Sequence, residues 1–230
     1  MMHIEPAGAC ALQVLLDEPP SAALSARLAA LAQQLRQWPG IVAVVPAWDS
    51  LLLHYDVMQA DYHQLVERLC PLLSQLAALE PQGAAEHDTA REHCIAVCYD
   101  HRLAPDLPWL ADSCGLSEAE LIAKHHSARY RVGAIGFAPG FAYLAGLDPQ
   151  LAQPRRATPR TQVPAGSVAV AEQQCAIYPQ ASPGGWHLIG RTAQPLFDPS
   201  AQPPSPWQVG DRVRFVAIDY ATYLAQGGAP

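Results

Sequence analysis

The residues best equipped for chemistry lie between His126 and Pro199, in the runs HSARYRV, GFAPGFAYLAGL, PRRATPRTQVPAGSV, IYPQASPGGWHLIGRT and LFDP. Pro154-Arg155-Arg156 and Pro159-Arg160 set three guanidiniums on a loop stiffened by proline, which reduces the cost of orienting them on an anion. An exposed solubilising loop would have the same composition. Ser182-Pro183-Gly184-Gly185-Trp186 reads as a tight turn whose glycines take positive φ and aim successive N–H groups into an anion nest, with Arg191 close behind. The same run would also serve as a plain hairpin turn with Trp186 in the core. A histidine side chain ordinarily titrates near working pH, which makes His126 a candidate proton-transfer group, whereas one of the His125–His126 pair suits a helix C-terminus. Phe137, Phe141 and Tyr143 suit packing against the chain or a partner, and Tyr143 keeps a polar handle. The G-x-S-x-G, G-x-x-x-x-G-K-[ST] and G-x-G-x-x-G motifs are absent from the sequence, so any nucleotide site is unconventional.

These residues need a scaffold, and the pattern changes along the chain. Cys10 to Asp17 reads as a strand, and Ser21 to Trp38 as a helix with Leu24, Leu28, Leu31 and Leu35 at helical spacing. Ile41 to Pro46 and Ser50 to Tyr55 read as strands, followed by a helix from Asp61 to about Leu79 bearing Leu65, Leu69, Leu72 and Leu76. Pro71 should kink that helix or mark its true start. The order β-α-β-β-α suggests a ferredoxin-like α+β layer over residues 1–82. Pro81 to Glu92 mixes Pro, Gly and charge without a large apolar residue and reads as the domain boundary, with residues 83–92 as the linker. Beyond them come a strand at Cys94 to Tyr99, a short helix at Asp106 to Cys114, and a capping box, Ser117 with Glu120, opening a helix to about His125. Residues 93–230 then continue as short apolar runs between prolines and glycines, the signature of a β-barrel or sandwich.

The 230 residues are 50% hydrophobic and 15% charged with a formal net charge of −7, a composition for a globular chain and against a phosphate-backbone binder, so no nucleic acid partner is expected. The excess positive charge lies late: residues 126–215 carry eight basic and four acidic side chains, residues 1–125 six and sixteen. The uncharged apolar run Val132 to Leu147 is broken by glycines and a proline and is shorter than the ~20 apolar residues of a membrane span. The N-terminus has no positively charged stretch before an apolar one, so a cytoplasmic chain is expected, with Cys10, Cys70, Cys94, Cys98, Cys114 and Cys175 as thiols. Cys94 and Cys98 with His93 and His101 lack the spacing of a zinc knuckle, so no metal site is expected.

Taken together in order and spacing, YDHRLAPDL, GLSEAELI with His126-Ser127, GFAPGFAYL, PRRATPRTQVPAGSVAVA, IYPQASPGGWHLIGRT and LFDP closely resemble the allophanate hydrolase subunit 1 family, over about Cys10 to Ile218. Its members include the B subunit of 5-oxoprolinase and the sporulation-kinase inhibitor of bacilli, and a related module sits in urea carboxylase. The departures, Val57, Ala104 and Cys175-Ala176, touch turns more than the Arg and Gly motifs. The resemblance implies an α+β domain followed by a cyclophilin-like β-barrel, pairing with the C subunit of 5-oxoprolinase, joint action with its A subunit, and ATP-dependent opening of the small molecule 5-oxo-L-proline to L-glutamate. ATP enters as co-substrate of the complex, with no metal on this chain. On that reading His126, Arg160 and Arg191 are the catalytic candidates. Arg155, Ser167, Ser182, Gly184, Gly185 and Tyr143 bind substrate or anion, and Phe137 and Phe141 meet the partner. The alternatives are a regulatory protein that docks on a sensor kinase, or a carboxyltransferase-like module of a urea carboxylase.

Overall fold

The computed structural model describes residues 2–78 and 90–230, which form two compact units, 1–90 and 91–230. In the first, β1 (Met2–Pro6), β2 (Ala11–Leu16), β3 (Ile41–Ala47) and β4 (Ser50–Tyr55) make an antiparallel sheet in the order β1-β2-β4-β3, with helices α1 (Ala22–Leu35) and α2 (Tyr62–Ala78). Helix α1 starts where it does because the Ser21 side chain accepts from the Leu24 N–H at 3.0 Å, satisfying a donor that the helix itself cannot. Its Leu24, Leu28, Leu31 and Leu35 share one face and are buried with Leu12 and Val14 of β2, Leu51 and Leu53 of β4, and Leu65, Leu69 and Leu73 of α2. Pro71 lies inside α2 rather than at its start, although its missing N–H removes one helical hydrogen bond. The ferredoxin-like reading is not established. Its pattern needs a fourth strand after α2, none follows α2 among the described residues of the first unit, and the place beside β2 is taken by β1, which precedes it. The expected linker falls mostly outside the described residues, and its last residue, Glu92, begins a strand.

The second unit is built on a closed barrel of β5 (Glu92–Cys98), β6 (Tyr130–Ile135), β7 (Ala142–Ala145), β9 (Ser167–Ala171), β10 (Gln174–Ile177), β12 (His187–Arg191) and β13 (Arg212–Ile218). The ring runs β6-β13-β5-β12-β9-β10-β7 and closes by β7 pairing with β6. Only β5 and β13 run parallel; the other neighbours are antiparallel. Alternation along each strand sends Ile95 and Val97, Val168 and Val170, Cys175 and Ile177, and Val213 and Phe215 into one core, together with Leu107, Leu110 and Leu121 from helices α3 (Leu107–Ser113) and α4 (Glu118–Ser127). The capping box at Ser117 and Glu120 is formed as expected. The other face of β9 and β10 carries Ala169, Ala171 and Ala176, which pack with Tyr178 just beyond β10 and with Val163, Phe141, Trp186 and Leu188 in a second cluster. Val163 belongs to β8 (Arg160–Val163), which with β11 (Ser182–Gly184) forms a separate two-stranded ribbon. A short helix, α5 (Tyr220–Ala225), follows β13.

His125 is in the barrel core and fully buried. Its ring stacks on Phe215, its Nδ1 lies 2.7 Å from the Tyr99 hydroxyl, and its Nε2 lies 3.4 Å from Cys175 Sγ. Burial pushes its pKa down to about 3 and the Cys175 thiol and Tyr99 hydroxyl well up, so all three are neutral.

Candidate functional site

The arginine loop is fastened at several points. The Gln153 carbonyl accepts from Glu172 N–H at 2.6 Å, the Pro154 carbonyl lies 2.8 Å from His187 Nε2, and Arg156 N–H donates to the Gly185 carbonyl at 2.8 Å. The Arg160 end is held in the ribbon, where Arg160 is paired with Gly184. A side chain that reads in the sequence only as a helix start organises the centre. Asp106, 4% exposed, accepts at Oδ1 from both Arg156 Nη1 and Arg160 Nη2 at 2.8 Å, and at Oδ2 from Leu188 N–H at 2.7 Å. A buried carboxylate is tolerable when its lone pairs are filled in this way. Two cations and one anion leave the cluster with a net single positive charge.

Buried polar atoms are nearly always hydrogen-bonded, so orphans are informative. Among the described residues Arg156 Nε, Arg160 Nη1, Ser167 Oγ, His187 Nδ1 and Arg191 Nε are buried without a partner. These five atoms fall in the segment that the sequence marked out. The three guanidinium atoms are donors. His187 Nε2 faces the Pro154 carbonyl and so carries a proton, and in the tautomer protonated there alone Nδ1 is an acceptor. The exposed indole of Trp109 stacks on that ring with centroids 4.6 Å apart. The region can therefore bind an anion and, beside it, a hydrogen-bond donor.

The structure brings together some of the expected residues and separates others. Arg160, Gly184 and Gly185 meet at the ribbon, but the nest expected at Ser182–Gly185 is not formed: Ser182–Gly184 is a strand, and neither Gly184 nor Gly185 has positive φ. Glycine is required at 184 for another reason. A Cβ there would lie 2.3 Å from the Tyr178 hydroxyl. Arg191 and Ser167 are opposite one another across β12 and β9, with Arg191 Nη1 also 3.4 Å from the Ala229 carbonyl. Arg155 is exposed, pairs with Glu172 at 3.2 Å and lies over Trp186, so its charge is already engaged at the rim. Tyr143 is half-buried against Phe141 and Trp186. His126 sits in the last turn of α4, half-buried, and its side chain makes no hydrogen bond to another described residue. Phe141 is corrected: at 2% exposure, edge-on to Tyr178, Tyr143 and Trp186, it belongs to the core and is closed to a partner, while Phe137 is 64% exposed. Phe137 also has φ of 71°, an unusual conformation for a bulky side chain. His93 and His101 are turned to Asp211 and Glu118, and no cluster of three or more metal-ligating side chains occurs among the described residues.

Asp106 and His187 were not singled out as site residues by the sequence. Asp106 finds its partners 50, 54 and 82 residues away, a separation that leaves no local signal.

Comparison with known proteins places this architecture. The family described as carboxyltransferase domain, subdomain C and D, matches residues 2–207. The chain belongs to that family. It is 39% identical over 209 residues to the B subunit of 5-oxoprolinase from Escherichia coli O157:H7, covering 91% of this chain and 93% of the relative. It is 40% identical over 215 residues to the protein of the same name from Haemophilus influenzae, covering 94% and 97%. The resemblance read from the sequence motifs is thereby borne out. Among solved structures, TTHA0988 superposes with a TM-score of 0.75 at 37% identity, covering 95% of this chain and 40% of that one, so the chain spans less than half of that protein's length. The Kluyveromyces lactis urea carboxylase superposes with a TM-score of 0.72 over 97% of this chain and 22% of its own. At 18% identity that likeness concerns the fold alone. No helix among the described residues is long and apolar enough to cross a membrane.

Proposed function

We propose that this chain is the B subunit of an ATP-dependent 5-oxoprolinase that opens 5-oxo-L-proline to L-glutamate in the cytoplasm together with the A and C subunits. The observation that carries the reading is the identity of 39–40% to proteins named as the B subunit of 5-oxoprolinase, over more than nine-tenths of both lengths. The buried guanidinium donors support it, because the reaction must hold a carboxylate and phosphates near one another. A five-membered lactam is a resonance-stabilised amide. Transfer of a phosphoryl group to its carbonyl oxygen makes the carbon an electrophile and phosphate a leaving group. Water then adds to that carbon, the C–N bond breaks as the nitrogen takes a proton and leaves as an amine, and a second water hydrolyses the resulting acyl phosphate to the carboxylate, releasing inorganic phosphate. Arg160, Arg191 and Ser167 are assigned to the anions and His126 to proton transfer. No nucleotide-binding loop is present in the sequence, which fits a division of labour within the complex.

The test is reconstitution. Purified chain, the A and C subunits, ATP and 5-oxo-L-proline should together form glutamate, and omission of any one component should abolish it. Robust turnover by the isolated chain would overturn the reading.

A further inference from the structure

We infer that Asp106 is a positioning residue, locking Arg156 and Arg160 side by side as a receptor for the substrate's carboxylate rather than for a phosphate. The inference rests on the proposed 5-oxoprolinase reading and assigns one part of its site. Arg156 Nη1 and Arg160 Nη2 are each 2.8 Å from the same carboxylate oxygen, so the two nitrogens are at most about twice that distance apart. Two guanidiniums so close repel unless an anion lies between them. The anion itself cannot swing away: its second oxygen is held by the Leu188 N–H, and Asp106 N–H donates back to the Leu188 carbonyl at 3.1 Å. With the arginines also tethered through their backbones at Gly185 and Gly184, both forks are held from two ends.

What remains unengaged decides the ligand. Each arginine keeps one buried N–H without a partner, Arg156 Nε and Arg160 Nη1. Two charged donors in fixed positions suit the two oxygens of a carboxylate. Charge gives the same answer. The cluster is net +1, which neutralises one carboxylate and falls short of a phosphate group, with its charge of about −1.5 to −2. A lactam acid is such a ligand, because its nitrogen is uncharged and its only ion is the carboxylate. Arg191 with Ser167, outside Asp106's reach by hydrogen bonding, is left for the phosphate.

The experiment uses the reconstituted three-subunit complex with Asp106→Asn, which preserves side-chain size and an acceptor but removes the charge. The KM for 5-oxo-L-proline should rise about 10- to 100-fold, with the KM for ATP unchanged. The preference of wild type for 5-oxo-L-proline over its uncharged carboxamide should shrink by a similar factor. An unchanged KM for 5-oxo-L-proline with only lower thermal stability, or a rise confined to ATP, would overturn the inference. If Asp106→Asn fails to assemble, Arg156→Lys, which keeps the charge but loses the fork, must give the same selective rise in KM. Calorimetric titration of the complex with 5-oxo-L-proline and with inorganic phosphate separates the two levels of reading. Asp106-dependent binding of 5-oxo-L-proline without turnover upholds the receptor and sinks the proposed activity, whereas phosphate binding that depends on Asp106 sinks the receptor.

Discussion

Replacing His125 by Gln should make the barrel less sensitive to acid. His125 is buried in the core between Phe215, Tyr99 and Cys175, and burial pushes its pKa down to about 3. The unfolded chain takes up that proton near the ordinary histidine value of about 6.5, so between about pH 6.5 and 3 the unfolded state binds more protons than the folded one. Stability from this group is therefore complete above about pH 6.5 and is lost as the pH falls. Each pH unit removes up to about 1.4 kcal/mol, so a descent from pH 6.5, where the unfolded ring is half protonated, to 4.5 should cost about 2 kcal/mol, a large part of a domain's usual 5–15. Gln can still accept from the Tyr99 hydroxyl and donate towards Cys175 but does not titrate. The variant should start less stable at pH 7 and decline less steeply by about one proton. Urea unfolding of the two proteins between about pH 7 and 4, followed by circular dichroism, measures the difference in slope. Carboxylates and other histidines are common to both and cancel. Parallel decline of the two proteins would refute the reasoning.

Phe141→Asp should unfold the barrel unit, because it places an unpaired charge among Tyr178, Tyr143 and Trp186 at a cost of several kcal/mol, whereas Phe137→Asp should leave circular dichroism and melting temperature near wild type. Arg191→Ala should abolish turnover of the reconstituted complex while the chain stays folded, and Arg191→Lys should restore little of it if the contact is bidentate; normal turnover by the alanine variant would reduce Arg191 to a structural residue.

Much of the fold could be read from local pattern. Apolar residues at helical spacing located α1, the Ser117–Glu120 pair located the start of α4, and short β-rich runs between glycines and prolines announced a barrel. These signals are legible because caps and periodicity act within a few residues of chain. The order and spacing of the Arg, Gly and Pro motifs likewise sufficed for the family.

Which residues face one another was decided only by tertiary structure. Gly184 looked like a nest glycine, yet what forbids a side chain there is the Tyr178 hydroxyl, brought up when β10 and the ribbon pack together. Phe141 was expected to meet a partner from its glycine-rich loop, yet the second cluster encloses it. Asp106, three residues from the exposed Trp109, became the hinge of the arginine cluster only because barrel closure sets β12 and the arginine loop against it. The physical reason is that charge pairing and burial depend on distance in space. Sequence spacing carries that distance inside one helix or strand, and loses it once a chain turns back on itself over fifty residues or more.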